Sequence, residues 1–198
     1  MDVALIDAGG ANLGSVRYAL ERLGVDARVV RDGRALAGAE RVILPGVGAA
    51  GPGMQALHAC GFVAPLRACA VPLLGVCLGM QLLFDSSAEG DVGCLGLLPG
   101  RVEKLAAGQG LRWPHMGWNA LEQVADDPLL DGIAEGDHAY FVHGYAAPVG
   151  AATLASCQHG QRFSAVVRQG LALGAQFHPE RSAATGARLL DNFLRWAA

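Results

Sequence analysis

The chain is poor in lysine and carries no cluster of positive charge. Of its 15 basic residues only Lys104 is a lysine, and the formal net charge of the 198 residues is −3. Binding to nucleic acid or to an anionic membrane surface depends on basic runs or patches. The sequence therefore gives no electrostatic support for either kind of partner.

Long apolar runs and targeting signals are also missing. The longest apolar region, residues 70–84, is shorter than a membrane-spanning helix and is interrupted by Pro72, Gly75 and Gly79. The chain begins MDVALIDAGG, with two aspartates where a secretion signal carries positive charge. We therefore expect a soluble, cytoplasmic protein.

Paired cysteines with the spacing of a metal site do not occur. The chain has five cysteines, an odd number, and no C-x-x-C motif. This argues against a disulfide framework and against a zinc site, so no metal is expected. Most of the five are expected to be small buried apolar side chains.

The overall composition is that of one globular unit. Hydrophobic residues make up 52% of the chain and charged residues 17%. A chain of this length can bury roughly 70% of the surface of its unfolded form. No repeat, low-complexity tract or linker is evident, so the sequence predicts a single domain over residues 1–198.

Short apolar strands alternate with helical patterns up to about residue 86. Strands are predicted at 3–6, 27–30, 42–44 and 73–76. The intervening helical segments are 13–23 and 54–69, the latter interrupted near Gly61 and Pro65, and a further helix is predicted from Leu78. This alternation is typical of parallel β-α units covered on both faces.

The pattern changes after residue 101. Four strand-like segments, RVEKL, WNALEQV, HAYFV and SAVV, are separated by turns, and LALGAQF is a further strand. A stripe of leucine and phenylalanine over 189–194 indicates a C-terminal helix. The sequence thus predicts an α/β fold with a mixed, mainly parallel central sheet flanked by helices, and a smaller antiparallel patch.

One cysteine stands where a buried strand meets a helix, in the stretch LLGVCLGMQLLF. GVCLG has the shape of G-x-S-x-G, the sharp turn that exposes a nucleophile. Gly75 and Gly79 remove side chains where helix and strand approach closely, and Cys77 comes to lie at a helix N-terminus, which favours its thiolate. The alternative is a buried cysteine beside packing glycines, and this motif alone leaves both interpretations open.

A base for that thiol is available in Phe-His-Pro-Glu at 177–180. Proline pushes the residue before it into an extended conformation, so His178 and Glu180 can point to the same side. A carboxylate can then orient an imidazole, as in a catalytic triad. The alternative is a surface turn, but the presence of both segments favours catalysis.

Three segments, GVCLGMQ, PGVG and QFHPERS, resemble class I glutamine amidotransferases in their order along the chain. Further segments, LGMQLLF, PHMGWN and YFVHGY, are similar to the glutaminase subunits of imidazole glycerol phosphate synthases. The resemblance implies that the chain hydrolyses L-glutamine through a thioester and delivers ammonia to a cyclase subunit in histidine biosynthesis. It implies no metal and no organic cofactor.

Site residues follow from the same resemblance. Cys77 is the implied nucleophile, His178 the general base and acid, and Glu180 the orienting carboxylate. The implied oxyanion hole is formed by backbone groups of Val47, Gly48 and Leu78. The implied substrate-binding residues are Gln81, Glu89 and Gly48. Without the resemblance, Gln81 would be read as an exposed helix residue and Glu89 as a solvated loop charge.

The implied partner is a (β/α)₈-barrel cyclase, joined to this chain in a heterodimer that makes imidazole glycerol phosphate and aminoimidazole carboxamide ribonucleotide. The residues implied to face it are Asn12, Arg17, Trp118, Tyr140 and Arg181. Exposed Trp, Tyr and Arg side chains are typical of interface hot spots, although Trp118 and Tyr140 could equally belong to the core.

Two positions depart from the family pattern, and several other functions stay open. Arg181 stands where the family usually has Lys, and Gly144 where it usually has Ser or Thr. Other possibilities are the glutaminase subunit of an anthranilate or aminodeoxychorismate synthase, a cysteine peptidase or deglycase, and a non-catalytic binding module of the same fold.

Overall fold

The computed structural model describes residues 1–9, 12–106 and 110–196. The strands are β1 Val3–Ile6, β2 Arg28–Val30, β3 Arg41–Gly46, β4 Leu73–Cys77, β5 Phe84–Ser87, β6 Val92–Gly93, β7 Leu98–Lys104, β8 His115–Ala120, β9 His138–His143, β10 Tyr145–Ala146, β11 Thr153–His159, β12 Gln161–Gln169 and β13 Ala172–Ala175. The α-helices are α1 Leu13–Glu21, α2 Ala50–Ala59, α3 Val63–Arg67, α4 Leu78–Gln81 and α5 Ala183–Arg195. None of the described helices is long and apolar enough to cross a membrane.

A seven-stranded sheet in the order β11-β12-β13-β4-β3-β1-β2 forms the centre of the structure. Strands β2, β1, β3, β4 and β13 run parallel, and β12 and β11 extend the sheet in antiparallel fashion. This confirms the predicted mixed, mainly parallel sheet. The carboxyl ends of β3, β4 and β13 lie side by side, which is where open α/β sheets bind ligands.

Both faces of this sheet are buried, as the continuous apolar strands predict. Along β1, Val3 and Leu5 face a core shared with α1 and α5, whereas Ala4 and Ile6 face a second core shared with α2 and α3. Successive side chains of a strand point to opposite faces, so an uninterrupted apolar strand requires cover on both sides.

The predicted antiparallel patch is divided among three sheets. Strands β11 and β12 join the central sheet, β8 pairs with β9 in a separate two-stranded sheet, and β7 belongs to a four-stranded sheet in the order β10-β7-β5-β6. Local patterns predict β7, β8, β9, β12 and β13, but not β11. They do not predict which strands pair, because pairing across a sheet is decided by packing and not by the period of one segment.

The helix after Cys77 is shorter than the run of apolar residues suggests. It ends at Gln81, and Phe84 begins β5. The N–H groups of Leu95 and Leu98 donate to the carbonyls of Leu82 and Leu83, so the chain turns into sheet structure there. Residues 78–84 are almost all apolar, so their sequence shows no helical or strand periodicity that would reveal where the helix ends and the strand begins.

The predicted helix 54–69 also differs, because it begins at Ala50 and divides into α2 and α3. The break lies over residues 60–62, where Gly61 has φ +69°. Left-handed backbone of this kind ends a helix and is adopted most readily by glycine. Pro65 lies inside the first turn of α3, where its missing N–H costs no helical hydrogen bond.

Candidate active site

Cys77 occupies a sharp turn between β4 and α4. Its backbone has φ 54° and ψ −110°, and α4 begins at the next residue. Positive φ is uncommon for residues other than glycine and is concentrated at functional sites. The turn brings the thiol to the carboxyl edge of the central sheet, as the strand–turn–helix motif predicts.

The two glycines beside Cys77 are required by close packing. A Cβ atom at Gly79 would overlap the carbonyl oxygen of Leu44 in β3, and one at Gly75 would lie 2.6 Å from the backbone nitrogen of Met80. Neither contact can be relieved by a side-chain movement, because both partners are backbone atoms. This confirms the steric role that the sequence assigned to Gly75 and Gly79.

Gly79→Ala is expected to lower the free energy of unfolding by more than about 3 kcal/mol, because the added methyl group forces α4 away from β3. Urea unfolding followed by circular dichroism measures the change. Gly93→Ala is the matched control, since a Cβ at Gly93 meets no atom within 4 Å. Equal stability of the two variants would contradict this account of the turn.

His178 and Glu180 follow β13 at the same edge of the sheet. The backbone of His178 is extended, with φ −95° and ψ 99°, and its Nδ1 lies 2.9 Å from Oε1 of Glu180. The Glu180 side chain is only 5% exposed. Its Oε2 is buried without a hydrogen-bond partner among the residues that the structure describes. The carboxylate is thus directed at the imidazole.

The environment of His178 favours its protonated form. Burial lowers the pKa of His178, but its interactions with Cys77 and Glu180 outweigh burial and raise that pKa from 6.5 to about 10. A cationic imidazolium is the kind of neighbour that reactive cysteines have. The structure thus brings Cys77, His178 and Glu180 to the same edge of the sheet, as a predicted nucleophile, base and orienting acid require.

A cavity of about 150 Å³ opens at Cys77. It is lined by seven of the predicted site residues, namely Val47, Gly48, Cys77, Leu78, Gln81, Glu89 and His178. Strand pairing between β3 and β4 continues to Gly46 and Cys77, which places the turn at 47–48 beside the thiol. Val47, Gly48 and Leu78, the predicted oxyanion-hole residues, thus line the same cavity as Cys77.

The two predicted substrate-binding side chains are partly engaged within the protein. Gln81 is buried, and its Nε2 donates to the carbonyl of Tyr145 (2.8 Å) and to Oε1 of Gln176 (3.0 Å). Oε2 of Glu89 accepts the N–H of Ala50 (3.0 Å) at the start of α2. Gln81 is therefore not an exposed helix residue and Glu89 is not a fully solvated charge. These contacts leave Oε1 of Gln81 and Oε1 of Glu89 unused.

Groups that the sequence analysis did not assign to the site complete the cavity wall. They come from β9 and the residues after it, namely Val142, His143, Gly144 and Tyr145. The carbonyl of Val142 lies 3.7 Å from Sγ of Cys77, and Nε2 of Gln176 lies 3.9 Å from the same sulfur. The motif YFVHGY contains these wall residues, so it held the signal, although Tyr140 was the only member given a role, at the partner interface.

Hydrogen bonds between neutral side chains run from His143, in the cavity wall, to His115 and Asn119. Burial lowers the pKa of His143 to about 3 and, with nearby His159, that of His115 to about 4. Nδ1 of His143 donates to the Tyr145 carbonyl (2.8 Å), so its Nε2 accepts from Nδ1 of His115 (3.0 Å). Nε2 of His115 in turn accepts from Asn119 (3.3 Å). These hydrogen bonds hold His143 in the cavity wall, and because both histidines are neutral they add no positive charge to the cavity.

Three of the predicted partner-facing residues form one exposed cluster. Trp118 and Tyr140 pair across β8 and β9 with their rings 5.9 Å apart, and the guanidinium of Arg181 lies 5.0 Å from the Tyr140 ring. Trp118 is 54% exposed, so the alternative that it belongs to the core is wrong. Tyr140 is half-buried. The carbonyl of Tyr140 accepts the N–H of His178 (2.9 Å), so the cluster is hydrogen-bonded to the segment that carries this histidine.

Asn12 and Arg17, the other two predicted partner-facing residues, lie on α1. Both are exposed. The Asn12 side chain accepts the N–H of Ser15 and begins the helix, and Arg17 lies 3.5 Å from Glu21. Helix α1 packs beside the turn at 179–181, which contains Arg181.

Metal binding has no support from side-chain placement. Within residues 1–9, 12–106 and 110–196, no group of three or more His, Cys, Asp or Glu side chains is arranged to hold an ion. The five cysteines are free. The polar side chains that line the cavity include the Cys77 thiol and the His178 imidazole.

Sequence comparison finds relatives over almost the whole chain. The family model described as Glutamine amidotransferase class-I matches residues 4–196. The chain is 68% identical over 193 residues to the protein named Imidazole glycerol phosphate synthase subunit HisH of Xanthomonas axonopodis pv. citri, with 98% of this chain and 96% of that protein aligned. It is 61% identical over 197 residues to the protein of the same name from Xylella fastidiosa, with 100% and 98% aligned.

Solved structures with the same fold are also found. One, titled as a crystal structure of glutamine amidotransferase, superposes with a TM-score of 0.76 at 26% identity and covers 98% of this chain and 97% of its own. Another, titled as the structure of PurLQS from Thermotoga maritima, has a TM-score of 0.74 at 21% identity, with 98% and 97% covered. The second likeness concerns the fold alone.

Proposed function

The chain belongs to the class I glutamine amidotransferase family, and on that premise we propose that it is a glutaminase subunit of imidazole glycerol phosphate synthase. It hydrolyses L-glutamine to glutamate and ammonia and supplies the ammonia to a cyclase in histidine biosynthesis. The observation that carries this proposal is the meeting of Cys77 with the His178–Glu180 pair at one cavity, in a chain 68% identical to a protein of that name.

The first half of the reaction forms a thioester. The Cys77 thiolate attacks the side-chain amide carbon of glutamine, so a C–S bond forms and the carbonyl electrons move onto oxygen. Backbone N–H groups of Leu78 and of the turn at Val47 and Gly48 hold this oxyanion; losing one such donor typically costs ~10²–10³ in rate. His178 gives its proton to the amide nitrogen, the C–N bond breaks, and ammonia leaves.

The second half of the reaction regenerates the enzyme. His178, now neutral, takes a proton from water as the water oxygen attacks the thioester carbon. The tetrahedral intermediate collapses, the C–S bond breaks, and glutamate leaves while the thiolate and imidazolium return. Glu180 keeps the imidazole oriented in both halves. No step requires a metal or an organic cofactor.

Substrate recognition is assigned to the groups that line the cavity. The second carboxylate oxygen of Glu89 meets the α-ammonium of glutamine, and Oε1 of Gln81 accepts a hydrogen bond from the substrate. Gly48 borders the same space through its backbone. Because Nε2 of Gln81 is already held by Tyr145 and Gln176, its oxygen is presented in a fixed direction. Such preorganisation reduces the entropy lost on binding.

The partner in this proposal is a (β/α)₈-barrel cyclase in a heterodimer. Ammonia is mostly protonated in water near neutral pH, and ammonium is not nucleophilic, so direct transfer between two docked active sites protects the reactive form. The cyclase uses it to make imidazole glycerol phosphate and aminoimidazole carboxamide ribonucleotide. The proposed site of action is the cytoplasm, which fits the free cysteines because thiols persist in reducing compartments.

Trp118→Ala is expected to weaken cyclase binding about tenfold or more while the fold survives, because exposed aromatic anchors dominate interface energies. Calorimetric titration of the cyclase gives the Kd, and circular dichroism reports the fold. Val149→Ala is the control, since Val149 is 46% exposed and does not belong to the exposed cluster of Trp118, Tyr140 and Arg181. Unchanged affinity of Trp118→Ala would remove Trp118 from the interface.

The test of the function is glutamate release from L-glutamine by the purified chain, measured with and without the cyclase from the same organism and the cyclase ligand. Strong stimulation by the cyclase is expected. Stimulation only by an anthranilate or aminodeoxychorismate synthase component would assign the chain to that pathway instead. A chain that releases no glutamate, and whose Cys77 is not labelled by an electrophilic glutamine analogue even with the partner present, would be a binding module.

A further inference from the structure

Trp113 packs against Gly144 behind the wall of the active-site cavity. Its indole N–H donates to the Gly144 carbonyl (3.1 Å), and a Cβ atom at position 144 would lie only 2.7 Å from Cζ2 of the ring. The φ of Gly144 does not lie in the left-handed region, so its backbone could accept a side chain. The indole ring is therefore what requires glycine at this position.

The position of the ring is fixed by contacts on several sides. The ammonium of Lys104 lies 4.7 Å from the centroid of the Trp113 ring, a cation–π contact, and Tyr145 meets the ring edge-on at 6.5 Å. Lys104 and Tyr145 are themselves paired between β7 and β10. Because Trp113 is 45% exposed, these directed contacts, and not burial alone, determine where the ring lies.

The backbone that Trp113 holds is part of the cavity. Gly144 and Tyr145 both line it. The Gly144 carbonyl accepts a second hydrogen bond from the N–H of Leu105 (2.9 Å), and the Tyr145 carbonyl accepts from Gln81 and His143. Trp113 therefore contributes one of the contacts that set the position of a wall segment, although it does not line the cavity.

We propose that Trp113 is a positioning residue for glutamine binding, which acts by filling the space that a side chain at position 144 would take. The inference rests on the proposed glutaminase function and deepens it. Since Trp113 acts through Gly144 and not on the reacting atoms, it governs the KM for glutamine far more than kcat. The proposal also predicts that substitutions at Trp113 and Gly144 are coupled, so that the effect of one on the KM for glutamine depends on the residue at the other position.

The test is a double-variant cycle on the chain in complex with its cyclase. Trp113→Ala and Gly144→Ser are each expected to raise the KM for glutamine about tenfold, the order of one lost hydrogen bond with its packing, and to leave kcat within about twofold. The combined variant is expected to have a lower KM than Gly144→Ser alone, because serine then enters the space left by the ring. Gly150→Ala, where a Cβ meets no atom within 4 Å, is the matched control.

Trp113→Phe extends the test to a variant that keeps an aromatic ring without the N–H donor. Combined with Gly144→Ser, it is expected to keep the KM for glutamine high, because a ring still fills the space that serine needs. It replaces Trp113→Ala in the test if that variant does not fold. Ammonia-dependent turnover by the cyclase verifies that each variant complex is intact.

If the wild-type chain releases glutamate, the proposed function stands, and two results would overturn the inference about Trp113. One is independent, multiplicative effects of the two substitutions on KM. The other is a loss of cyclase affinity in Trp113→Ala with no change in KM, which would make Trp113 a docking residue. A wild-type chain without glutaminase activity would overturn the proposed function and this inference together, so the two failures are distinguishable.

Discussion

Cys77→Ala abolishes glutamine-dependent synthesis by the complex, with an expected loss on the order of 10⁶-fold, the magnitude seen when a catalytic nucleophile is removed. Without the sulfur no thioester can form, and no other cysteine lines the described cavity. Synthesis from added ammonia is expected to remain at the wild-type level, because that route needs only the cyclase site. Both rates are measured on the same complex, with glutamine or with an ammonium salt as nitrogen source.

The ammonia-dependent rate is the internal control for folding and docking of the Cys77→Ala variant. Alanine is tolerated in size, although it must adopt the φ of 54° found at Cys77, so a melting curve of the free chain completes the control. Cys157→Ala is the matched variant, since Cys157 is buried in β11, away from the cavity. Residual glutaminase activity in Cys77→Ala that exceeds trace contamination would disprove its role as the nucleophile.

Glu180→Gln is expected to lower kcat for glutamine by about 10²–10⁴-fold, as happens when the acid that orients a catalytic histidine is replaced by its amide. Glutamine has the same shape and can still accept the hydrogen bond from Nδ1 of His178, so the change removes the charge and keeps the contact. The KM for glutamine is expected to change little, because Glu180 does not line the cavity.

The same variant shifts the titration of His178. In the wild-type chain Cys77 and Glu180 raise the pKa of His178 to about 10, which keeps the imidazolium charged below that pH. Loss of the carboxylate moves this pKa downward, so the proton is lost at lower pH. Nuclear magnetic resonance of ring-labelled histidine follows the titration, and Glu122→Gln on the surface is the control. A His178 titration that is the same in both variants would rule out Glu180 as its partner.

The parts of the site that the sequence revealed are those encoded within a few residues. Cys77 can be identified because a strand, two glycines and a helix follow one another in the sequence. His178 and Glu180 can be identified because Pro179 favours an extended backbone in which both side chains point the same way. The alternation of apolar segments likewise predicts the parallel sheet. Each of these inferences depends on backbone geometry that neighbouring residues decide.

The parts that the sequence concealed depend on long-range contacts. His115 and His143 are 28 residues apart along the chain, and Trp113 and Gly144 are 31 apart. No local rule predicts that two histidines will share a hydrogen bond, or that a glycine makes room for an indole. The division of β7, β8 and β11 among three sheets was hidden for the same reason.

The residues around the cavity belong to sheets of different size. Cys77 ends β4, which has neighbours on both sides in the seven-stranded sheet, whereas Val142 and His143 end β9, in a sheet of two strands. Local unfolding begins where few strands share the hydrogen bonds, and central strands open only with the whole domain. The hydrogen bonds of β9 are therefore expected to open at a lower cost in free energy than those of β4, so the wall formed by Val142 and His143 is the less stable side of the cavity.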